Sequence, residues 1–404
     1  MRQLSTDVLV IGAGPAGAAA ALTLSRLGRD VVLVDRSEFP RDKVCGDALI
    51  PDALRALEGL GLGSRVRAEA RQVRAIRVYA PSGAHVSAAV EALCLPRRRF
   101  DDMLREAAVA SGATFLAPCE LAEALDDAGS VAGARFVDRR TGDGLTVSAT
   151  FTVLATGAAA RPLETFAVCE RRSPSAVAAR IYVRVPRELA ESIGHFCIAY
   201  DRHICPGYGW IFPGPDHVFN IGVAYFADSR HPPPTTNLRD LLARFLRTFP
   251  PAREVMDASR PVTAARGAPL RTALAGAALS RPGLLVIGEA CGSTYSFTGE
   301  GIGKALESGS IAGETLSRLA GAARASKESA AREYAATLRA RFTERFRAYR
   351  LAQEWLAHPA LHDFLAWRGN AGTYVAEQMR ALLLETGDPR ALFSLPGLLK
   401  ALMR

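Results

Sequence analysis

The segment Thr6–Asp35 reads TDVLVIGAGPAGAAAALTLSRLGRDVVLVD. It begins with a short run rich in Val and Ile, Thr6–Ile11, and ends with a second such run, Asp30–Val34. Between the two runs lie three glycines and an Ala- and Leu-rich stretch that ends at Leu27. Runs of β-branched residues favour strands, whereas Ala and Leu favour a helix. The segment therefore predicts a strand, a tight turn, a helix and a second strand, which together form one unit of an α/β sheet.

The turn of this unit carries the pattern Gly-x-Gly-x-x-Gly. Gly12 permits the tight turn, Gly14 lets a pyrophosphate approach the backbone, and Gly17 lets the helix pack closely against the strand. Free N–H groups and the helix dipole favour an anion at the start of the helix. Asp35 follows Gly17 by eighteen residues, at the end of the second strand, where a carboxylate can accept hydrogen bonds from ribose hydroxyls. These four residues predict a dinucleotide-binding site.

The composition is that of a soluble globular enzyme. The chain has 404 residues, of which 49% are hydrophobic and 23% are charged, so it can bury a large core in two intimately connected domains. The net charge of +9 is carried almost wholly by arginine. A basic surface attracts anions such as phosphates or anionic lipid. The sequence has no dense basic run with interleaved aromatic residues, so we do not predict nucleic-acid binding.

The seven cysteines are predicted to be free thiols in a reducing cytoplasm. Their number is odd, none forms a CxxC pair, and no Cys/His cluster has the spacing of a zinc site, so we predict no metal. We do not expect the N-terminal apolar run to be a signal peptide, because glycines interrupt it. We also expect no stretch to be long and apolar enough to span a bilayer. These features predict a cytoplasmic protein.

The rest of the chain divides into strand-rich and helix-rich stretches. Residues 73–79 and 85–90 alternate apolar and polar side chains around a Pro-Ser-Gly turn, which predicts a hairpin. Three short runs within residues 121–150 predict an antiparallel meander, and residues 177–225 predict a second sheet. The segment His231–Pro234 predicts a rigid linker, and the last part of the chain has a mostly helical pattern.

Six further motifs follow the glycine motif along the chain. They are Arg41-x-Lys43-x-Cys45-Gly46, Arg97-x-x-Phe100-Asp101-x-x-Leu104, Ala155-Thr156-Gly157, Gly207-Tyr208-Gly209-Trp210-Ile211-Phe212-Pro213, Gly288-Glu289-Ala290 and Gly299-Glu300-Gly301-Ile302. As an ordered set, with the glycine motif, they resemble the geranylgeranyl reductase family of FAD-dependent oxidoreductases. The resemblance runs from the N-terminus to about Leu319 and more loosely into the helical tail.

The resemblance implies an α/β fold with three parts. These are a Rossmann-like FAD-binding domain of the glutathione reductase/para-hydroxybenzoate hydroxylase type, an antiparallel β-sheet substrate domain and a helical C-terminal region. We assign 1–72, 96–172 and 260–320 to the discontinuous FAD-binding domain, 73–95 and 173–259 to the substrate domain, and 321–404 to the helical region.

The resemblance also implies FAD in an extended pose, with its adenosine end on Asp35 and its ring end near Cys45 and Gly301. Arg97 resembles the family's arginine that contacts the pyrophosphate or ribityl group. Glu289 follows an apolar strand, where α/β sheets bind ligands, and stands where the family usually has Asp. The predicted cofactor-binding residues are Gly12, Gly14, Pro15, Ala16, Gly17, Asp35, Arg36, Arg41, Val44, Cys45, Gly46, Arg97, Gly288, Glu289, Gly299, Gly301 and Ile302.

Three residues are predicted to be catalytic: Cys45, Tyr208 and Trp210. Cys45 matches the cysteine that the family carries in a loop near the flavin, where a thiol can donate a proton or pack on the isoalloxazine face. Tyr208, Trp210 and Phe212 alternate on a predicted strand, so their side chains face one side. They form either an aromatic core ridge or the roof of an apolar substrate pocket.

The resemblance implies reduction of C=C bonds in a prenyl or other apolar substrate, by hydride transfer from reduced FAD. The electron donor would be external: NAD(P)H, ferredoxin or a flavin reductase. The basic surface and the helical tail suit peripheral contact with anionic lipid.

Two other functions fit the same fold. One is an FAD-dependent monooxygenase that hydroxylates its substrate with O2 through a C4a-hydroperoxide. The other is a flavoprotein that matures or modifies a partner protein. A halogenase is disfavoured, because it needs a separate lysine and none lies between Lys43 and Lys304.

Overall fold

The computed structural model describes residues 2–227, 237–319 and 324–403. The strands, in chain order, are β1 (Arg2–Ile11), β2 (Val31–Val34), β3 (Ala48–Leu49), β4 (Arg71–Tyr79), β5 (His85–Cys94), β6 (Thr114–Leu116), β7 (Cys119–Asp127), β8 (Ser130–Asp138), β9 (Gly144–Leu154), β10 (Ala176–Arg184), β11 (Phe196–Ala199), β12 (Gly207–Pro213), β13 (Val218–Phe226), β14 (Arg260–Pro261), β15 (Arg266–Leu270), β16 (Ser280–Arg281) and β17 (Leu284–Val286). The helices are α1 (Pro15–Arg26), α2 (Pro51–Gly59), α3 (Gly63–Glu69), α4 (Arg97–Ala110), α5 (Ala160–Thr165), α6 (Arg187–Ser192), α7 (Leu238–Thr248), α8 (Pro250–Asp257), α9 (Ile302–Leu319), α10 (Arg324–Leu356), α11 (Pro359–Ala371), α12 (Tyr374–Leu383) and α13 (Leu395–Met403).

The first sheet is built on the opening unit of the chain. Its strand order is β16-β17-β9-β1-β2-β6, and the five strands from β17 to β6 run parallel. The predicted strand, turn, helix and strand are present. β1 is longer than predicted because residues 2–6 pair with residues 145–149 of β9. The predicted meander is also present, as the antiparallel strands β7, β8 and β9.

Helix α1 belongs to the hydrophobic core that includes the strands of the first sheet. Its Ala- and Leu-rich middle is fully buried, from Ala18 to Leu22. Small residues bring α9 unusually close to it, because a β-carbon on Gly309 would lie 2.3 Å from the carbonyl oxygen of Ala16. This packing fixes the start of α1 at the carboxyl end of β1, which is the edge where parallel sheets bind ligands.

The second sheet has the order β14-β10-β13-β12-β11-β4-β5-β3, and β15 also pairs with β10. It is antiparallel except where β11 meets β4. The predicted hairpin, β4 and β5, belongs to it, as do the strands predicted over residues 177–225. β3, β14 and β15 lie in segments that we assigned to the FAD-binding domain. The chain leaves the second sheet after Leu270 rather than before Arg260, because β15 pairs with residues 176–180 along its whole length.

The helical tail contacts both sheets. On one side, the Tyr334 hydroxyl of α10 donates a hydrogen bond to the carbonyl oxygen of Val286 in β17, at 2.8 Å. On the other side, Leu383 and Leu384 pack against the aromatic face of the second sheet. The predicted linker His231–Pro234 lies outside the described residues. Within the described ranges, no helix has the length and apolar character needed to cross a bilayer.

Candidate active site

A cavity of about 410 Å3 lies between the two sheets. One part of its lining comes from the glycine turn, Asp35, Arg97 and Glu289. The other part comes from strand β12 of the second sheet and its neighbours: Phe196, Ile198, Tyr208, Trp210, Phe212, Ala224 and Phe226. One cavity therefore joins the predicted dinucleotide site to the predicted aromatic wall.

The glycine turn holds the backbone too closely for side chains. Gly12 has a φ of +105°, and a β-carbon there would lie 2.4 Å from the carbonyl oxygen of Ala155. A β-carbon on Gly17 would lie 1.8 Å from the carbonyl oxygen of Gly12, so Gly17 contacts protein rather than the cavity. Gly14 faces open space, with its nearest neighbour 3.6 Å away at Arg41. Because α1 begins without a side-chain cap, its N–H groups are available to an anion in the cavity.

Asp35 and two arginines are held in place beside this turn. Asp35 accepts hydrogen bonds from the backbone N–H groups of Ala13 (2.8 Å) and Ser37 (2.9 Å). The buried Asp101 carboxylate accepts from the Arg97 guanidinium at 2.5 and 2.8 Å, and it lies 3.1 Å from Arg41. Both arginines line the cavity, so Asp101 orients two cationic groups on its wall.

The two later motifs also contribute to the cavity. Glu289 lines it after β17, and Gly299, Gly301 and Ile302 line it at the start of α9. The Gly288 N–H donates to the Ser308 hydroxyl at 3.0 Å, and a β-carbon on Gly288 would lie 2.6 Å from that of Ala16. Gly288 therefore lets α1 pack closely, and its contact with the cofactor stays a prediction. The remaining predicted residues, Pro15, Ala16, Arg36, Val44, Cys45 and Gly46, line the cavity as expected.

These residues fit FAD. Two helices, α1 and α9, begin at the cavity, which suits the anionic groups of a dinucleotide and a reduced flavin. The hydroxyl of Thr156 is buried in its wall, and within the described residues it has no hydrogen-bond partner. Buried polar groups normally have partners, so this hydroxyl is available to a bound ligand.

The Cys45 loop is tied to the aromatic strand by Asn220 of β13. The Asn220 side-chain N–H groups donate to the carbonyl oxygen of Cys45 and to the carboxylate of Asp47, both at 2.7 Å. Its side-chain oxygen accepts from the Trp210 indole N–H at 3.0 Å. Asp47, which is fully buried, also accepts from the Tyr182 hydroxyl at 2.5 Å. Burial raises the pKa of Asp47 to about 6, although these two donors oppose the change.

Cys45 lines the cavity from this loop. Burial raises the pKa of Cys45, and the adjacent Arg97 guanidinium opposes that change. The thiol is therefore protonated near neutral pH. Next to it, a β-carbon on Gly46 would lie 3.0 Å from the Phe212 ring, so the loop rests directly on β12.

Tyr208, Trp210 and Phe212 all line the cavity from β12, as their alternation predicts. The Tyr208 hydroxyl donates to the carbonyl oxygen of Thr298 at 2.5 Å, and its ring stacks on Phe226 with centroids 5.9 Å apart. The Trp210 and Phe212 rings stack with centroids 6.2 Å apart. The result is an apolar wall with polar groups turned away to protein partners.

Glu300 brings a carboxyl group to this wall. It lines the cavity, and its Oε2 atom is buried with no partner among the described residues. Burial is the main cause that raises the pKa of Glu300 well above its usual range, and the charges of Asp52 and Glu385 add to it. The carboxyl therefore keeps its proton to a higher pH than an exposed glutamate does.

An ionic cluster lies behind Glu300. The buried Lys304 ammonium is 3.0 Å from Glu385, 3.2 Å from Glu307 and 3.7 Å from Asp52. Glu385 also accepts from the Tyr295 hydroxyl at 2.9 Å and pairs with two arginines. Burial raises the pKa of Asp52 to about 6, against the opposing charge of Lys304. The carboxylates around this single lysine favour a neutral Glu300.

The chain is similar to several known flavoproteins, including reductases. Residues 5–192 match the FAD binding domain family. Menaquinone reductase of Mycolicibacterium smegmatis is 32% identical over 323 residues, covering 77% of this chain and 76% of that protein. Digeranylgeranylglycerophospholipid reductase 1 of Methanopyrus kandleri is 28% identical over 318 residues, covering 76% and 79%. A crystal structure of a geranylgeranyl bacteriochlorophyll reductase-like protein from Thermoplasma acidophilum has a TM-score of 0.79 at 20% identity, covering 100% and 96%.

This chain belongs to the geranylgeranyl reductase family of FAD-dependent oxidoreductases. The family confirms the predicted cofactor, FAD, and the predicted class of enzyme. It also confirms the fold that the ordered motifs implied. The roles of individual residues in this geranylgeranyl reductase family member stay predictions.

Sequence reasoning missed several residues of the site. Asn220 carried a signal, because it is the polar residue in the otherwise apolar strand Val218–Phe226. Asp47 follows Cys45 by two residues, and Glu300 lies inside a motif that we used only for its glycines and Ile302. The partnership of Lys304 with Glu385 had no local signal, because 81 residues separate the two.

Proposed function

We propose that this geranylgeranyl reductase family member reduces C=C bonds in the prenyl chain of a lipid. The observation that carries the proposal is the single cavity that runs from the glycine turn to the aromatic wall. The names of the relatives support it, because menaquinone and digeranylgeranylglycerophospholipid both carry prenyl chains. A wall of aromatic and aliphatic side chains suits such a substrate.

The protein positions the substrate beside the cofactor, excludes water from the pocket and supplies a proton. When bound in its reduced form, FAD supplies a hydride to one carbon of the alkene. The glycine turn, Asp35, Arg41 and Arg97 hold the cofactor, and Tyr208 and Trp210 hold the prenyl chain beside it. The other alkene carbon takes a proton from the protein, so the two additions together convert C=C to CH–CH.

We propose Glu300 as the donor of that proton, with Cys45 as the second candidate. Both residues line the cavity, and burial raises the pKa of each group, which favours its protonated form. Glu300 is the first candidate because its Oε2 atom is buried and because carboxyl groups with a raised pKa commonly act as general acids. In this arrangement Cys45 packs beside the flavin ring and shapes the pocket.

Electrons come from outside the chain, from NAD(P)H, ferredoxin or a flavin reductase, which restores reduced FAD after each turnover. A prenyl lipid also resides in a membrane, so we propose that the protein contacts the bilayer peripherally.

The decisive experiment is anaerobic reoxidation of the dithionite-reduced holoenzyme by menaquinone and by a geranylgeranyl phospholipid in detergent. We expect the oxidised flavin absorbance to return and the lipid to gain two hydrogens in its prenyl chain. Fragment ions in tandem mass spectrometry must locate these hydrogens, because reduction of the quinone ring of menaquinone adds the same mass. No reoxidation by either lipid, together with a hydroxylated product under O2, would identify a monooxygenase instead.

Two variants separate the proton donors. We expect Glu300→Gln to slow reoxidation about 100-fold and Cys45→Ser to slow it less than about tenfold. The wild-type rate should fall as pH rises through the pKa of Glu300, and the Glu300→Gln rate should not follow that profile. Flavin absorbance of each purified variant checks that FAD is retained. The reverse order of the two rates would make Cys45 the acid.

A further inference from the structure

Helix α13 turns its large apolar side chains outward. Leu395, Leu399, Leu402 and Met403 are 69%, 58%, 53% and 76% exposed. Their spacing of four, seven and eight residues from the first places them on one face of the helix. The inward positions are Gly397 and Ala401, which are buried, and Leu398, which packs against the adjacent cluster. Four of the large apolar side chains of α13 thus face outward, whereas an ordinary surface helix packs its apolar face on the core.

The helix is nevertheless held firmly on the protein. The Arg368 side chain of α11 donates a hydrogen bond to the carbonyl oxygen of Ala401 at 2.7 Å. Ala401 packs in a cluster with Leu392 and Phe393, just before the helix. A β-carbon on Gly397 would lie 2.4 Å from the carbonyl oxygen of Ala391, so the close approach requires glycine. The outward direction of the leucines is thus fixed by packing.

Neighbouring residues extend this face in a way that suits a bilayer surface. Trp367 of α11 is 58% exposed, and the Arg368 guanidinium lies 5.2 Å from the centre of its ring. Lys400 is exposed on α13 itself, and the sequence from residue 389 to 403 contains no acidic residue. Tryptophan and basic residues beside leucines are typical of helices that lie in the headgroup region of anionic membranes.

The exposed apolar side chains concentrate here. Nine large apolar side chains in the described residues are exposed, and five of them are Trp367 and the four on α13. A patch of this kind on a soluble protein marks an interaction site.

The buried cluster beneath α13 is connected to the active-site cavity by aromatic rings. Phe393 of that cluster packs on Phe297 with centroids 5.5 Å apart, Phe297 on Tyr200 at 6.3 Å, and Tyr200 on Tyr208 at 6.1 Å. Tyr208 lines the cavity. Continuous aromatic packing therefore joins the support of α13 to the wall where a prenyl chain would be held.

We propose that the outward face of α13, with Trp367, docks the protein on an anionic bilayer. This inference rests on the proposed function, since a prenyl lipid is the reason to bring the cavity to a membrane. The leucines and Met403 enter the boundary between headgroups and acyl chains, and Lys400 and Arg368 face anionic headgroups.

The test is co-sedimentation of the holoenzyme with phosphatidylcholine vesicles, with and without about a quarter phosphatidylglycerol. We expect binding to the anionic vesicles and a loss of about tenfold or more in the variant Leu399→Glu/Leu402→Glu. A matched pair of single variants is Leu402→Glu and Leu27→Glu, because these leucines are 53% and 52% exposed. Only Leu402→Glu should weaken binding.

Three results would overturn the proposal. They are equal sedimentation of the wild type and the double variant, equal binding to neutral and anionic vesicles, and equal loss in Leu402→Glu and Leu27→Glu. A dimer that the double variant dissociates, without vesicle binding, would assign the face to a second copy of the chain and would also overturn it.

A second measurement separates this inference from the proposed function. With the prenyl lipid in detergent, the double variant should reduce it at the wild-type rate; with the lipid in anionic vesicles, the variant should be slower by about the factor lost in binding. Vesicle binding without lipid reduction by the wild type would leave the docking face standing and refute the proposed function.

Discussion

The two ends of the active-site cavity are built by different means. At the cofactor end, backbone atoms make the contacts: Gly12 and Gly17 leave no room for a β-carbon beside the neighbouring carbonyl oxygens. At the substrate end, side chains make the contacts. Asn220 hydrogen-bonds to Trp210 and to the loop residue Cys45, which lies 175 positions before Asn220 in the sequence. The cofactor end is therefore specified by six consecutive residues, Gly12–Gly17. The substrate end forms only after the two sheets have packed together.

The largest effect should come from the backbone end. We expect Gly12→Ala to abolish FAD retention and to lower the midpoint of thermal unfolding strongly. A β-carbon there would lie 2.4 Å from the carbonyl oxygen of Ala155, at a φ of +105° that alanine disfavours. The flavin-to-protein absorbance ratio and the melting temperature measure both effects.

Gly28→Ala is the matched control for this substitution. Gly28 also has a positive φ, +76°, but a β-carbon there would meet nothing within 4 Å. We expect it to cost about 1–2 kcal/mol and to keep FAD. Equal behaviour of the two variants would show that strain alone, and not the close approach, matters at Gly12.

The second-largest effect should come from a substitution at the substrate end of the cavity, where side chains make the contacts. Asn220→Leu keeps similar volume but removes the partners of the Trp210 indole, the Cys45 carbonyl and the Asp47 carboxylate. Buried groups without partners cost about 1–3 kcal/mol each, so we expect a loss of roughly 3 kcal/mol or more in the free energy of unfolding. FAD should be retained while lipid reduction falls, as urea denaturation, flavin absorbance and turnover would show.

The control for Asn220→Leu is Thr152→Val. Thr152 is fully buried in β9, and its hydroxyl has no partner among the described residues. Its replacement should change the free energy of unfolding by less than about 1 kcal/mol. If Asn220→Leu were as mild as this control, the network around Asn220 would contribute nothing to stability.

The smallest effect concerns the charge on Asp47. Its pKa is about 6 in the folded protein, against 3.8 when unperturbed, so the folded state holds this proton more tightly than the unfolded state. The wild type should therefore lose stability, relative to Asp47→Asn, as pH rises from 4 to above 6. The change is about 3 kcal/mol, from about 1.4 kcal/mol per pKa unit.

Urea denaturation of the wild type and Asp47→Asn at several pH values between 4 and 7 measures this difference. A difference that stays constant over that range would mean that Asp47 is ionised throughout, with its charge compensated by Tyr182 and Asn220.

The same contrast explains what could be predicted from the sequence. The opening unit, the hairpin and the strand of Tyr208 and Trp210 were predictable because each is a local pattern. The short strand Arg266–Leu270 was not predicted, because its pairing with β10 is decided by contacts about ninety residues apart. The close contact of Gly288 with Ala16 could not be predicted either, because no local pattern reports it.

The charge cluster behind Glu300 has a consequence for how the protein is made. Lys304 pairs with Asp52 and Glu307 and also with Glu385, which follows it by 81 residues. Synthesis proceeds from the N-terminus at about 5–20 residues per second, so the FAD-binding strands leave the ribosome seconds before that partner exists. A nascent chain that stalls before residue 385 carries the whole dinucleotide motif and a Lys304 that has Asp52 and Glu307 but lacks Glu385. Glu385, which is synthesised long after the glycine motif, thus completes the electrostatics of the cluster beside the cavity.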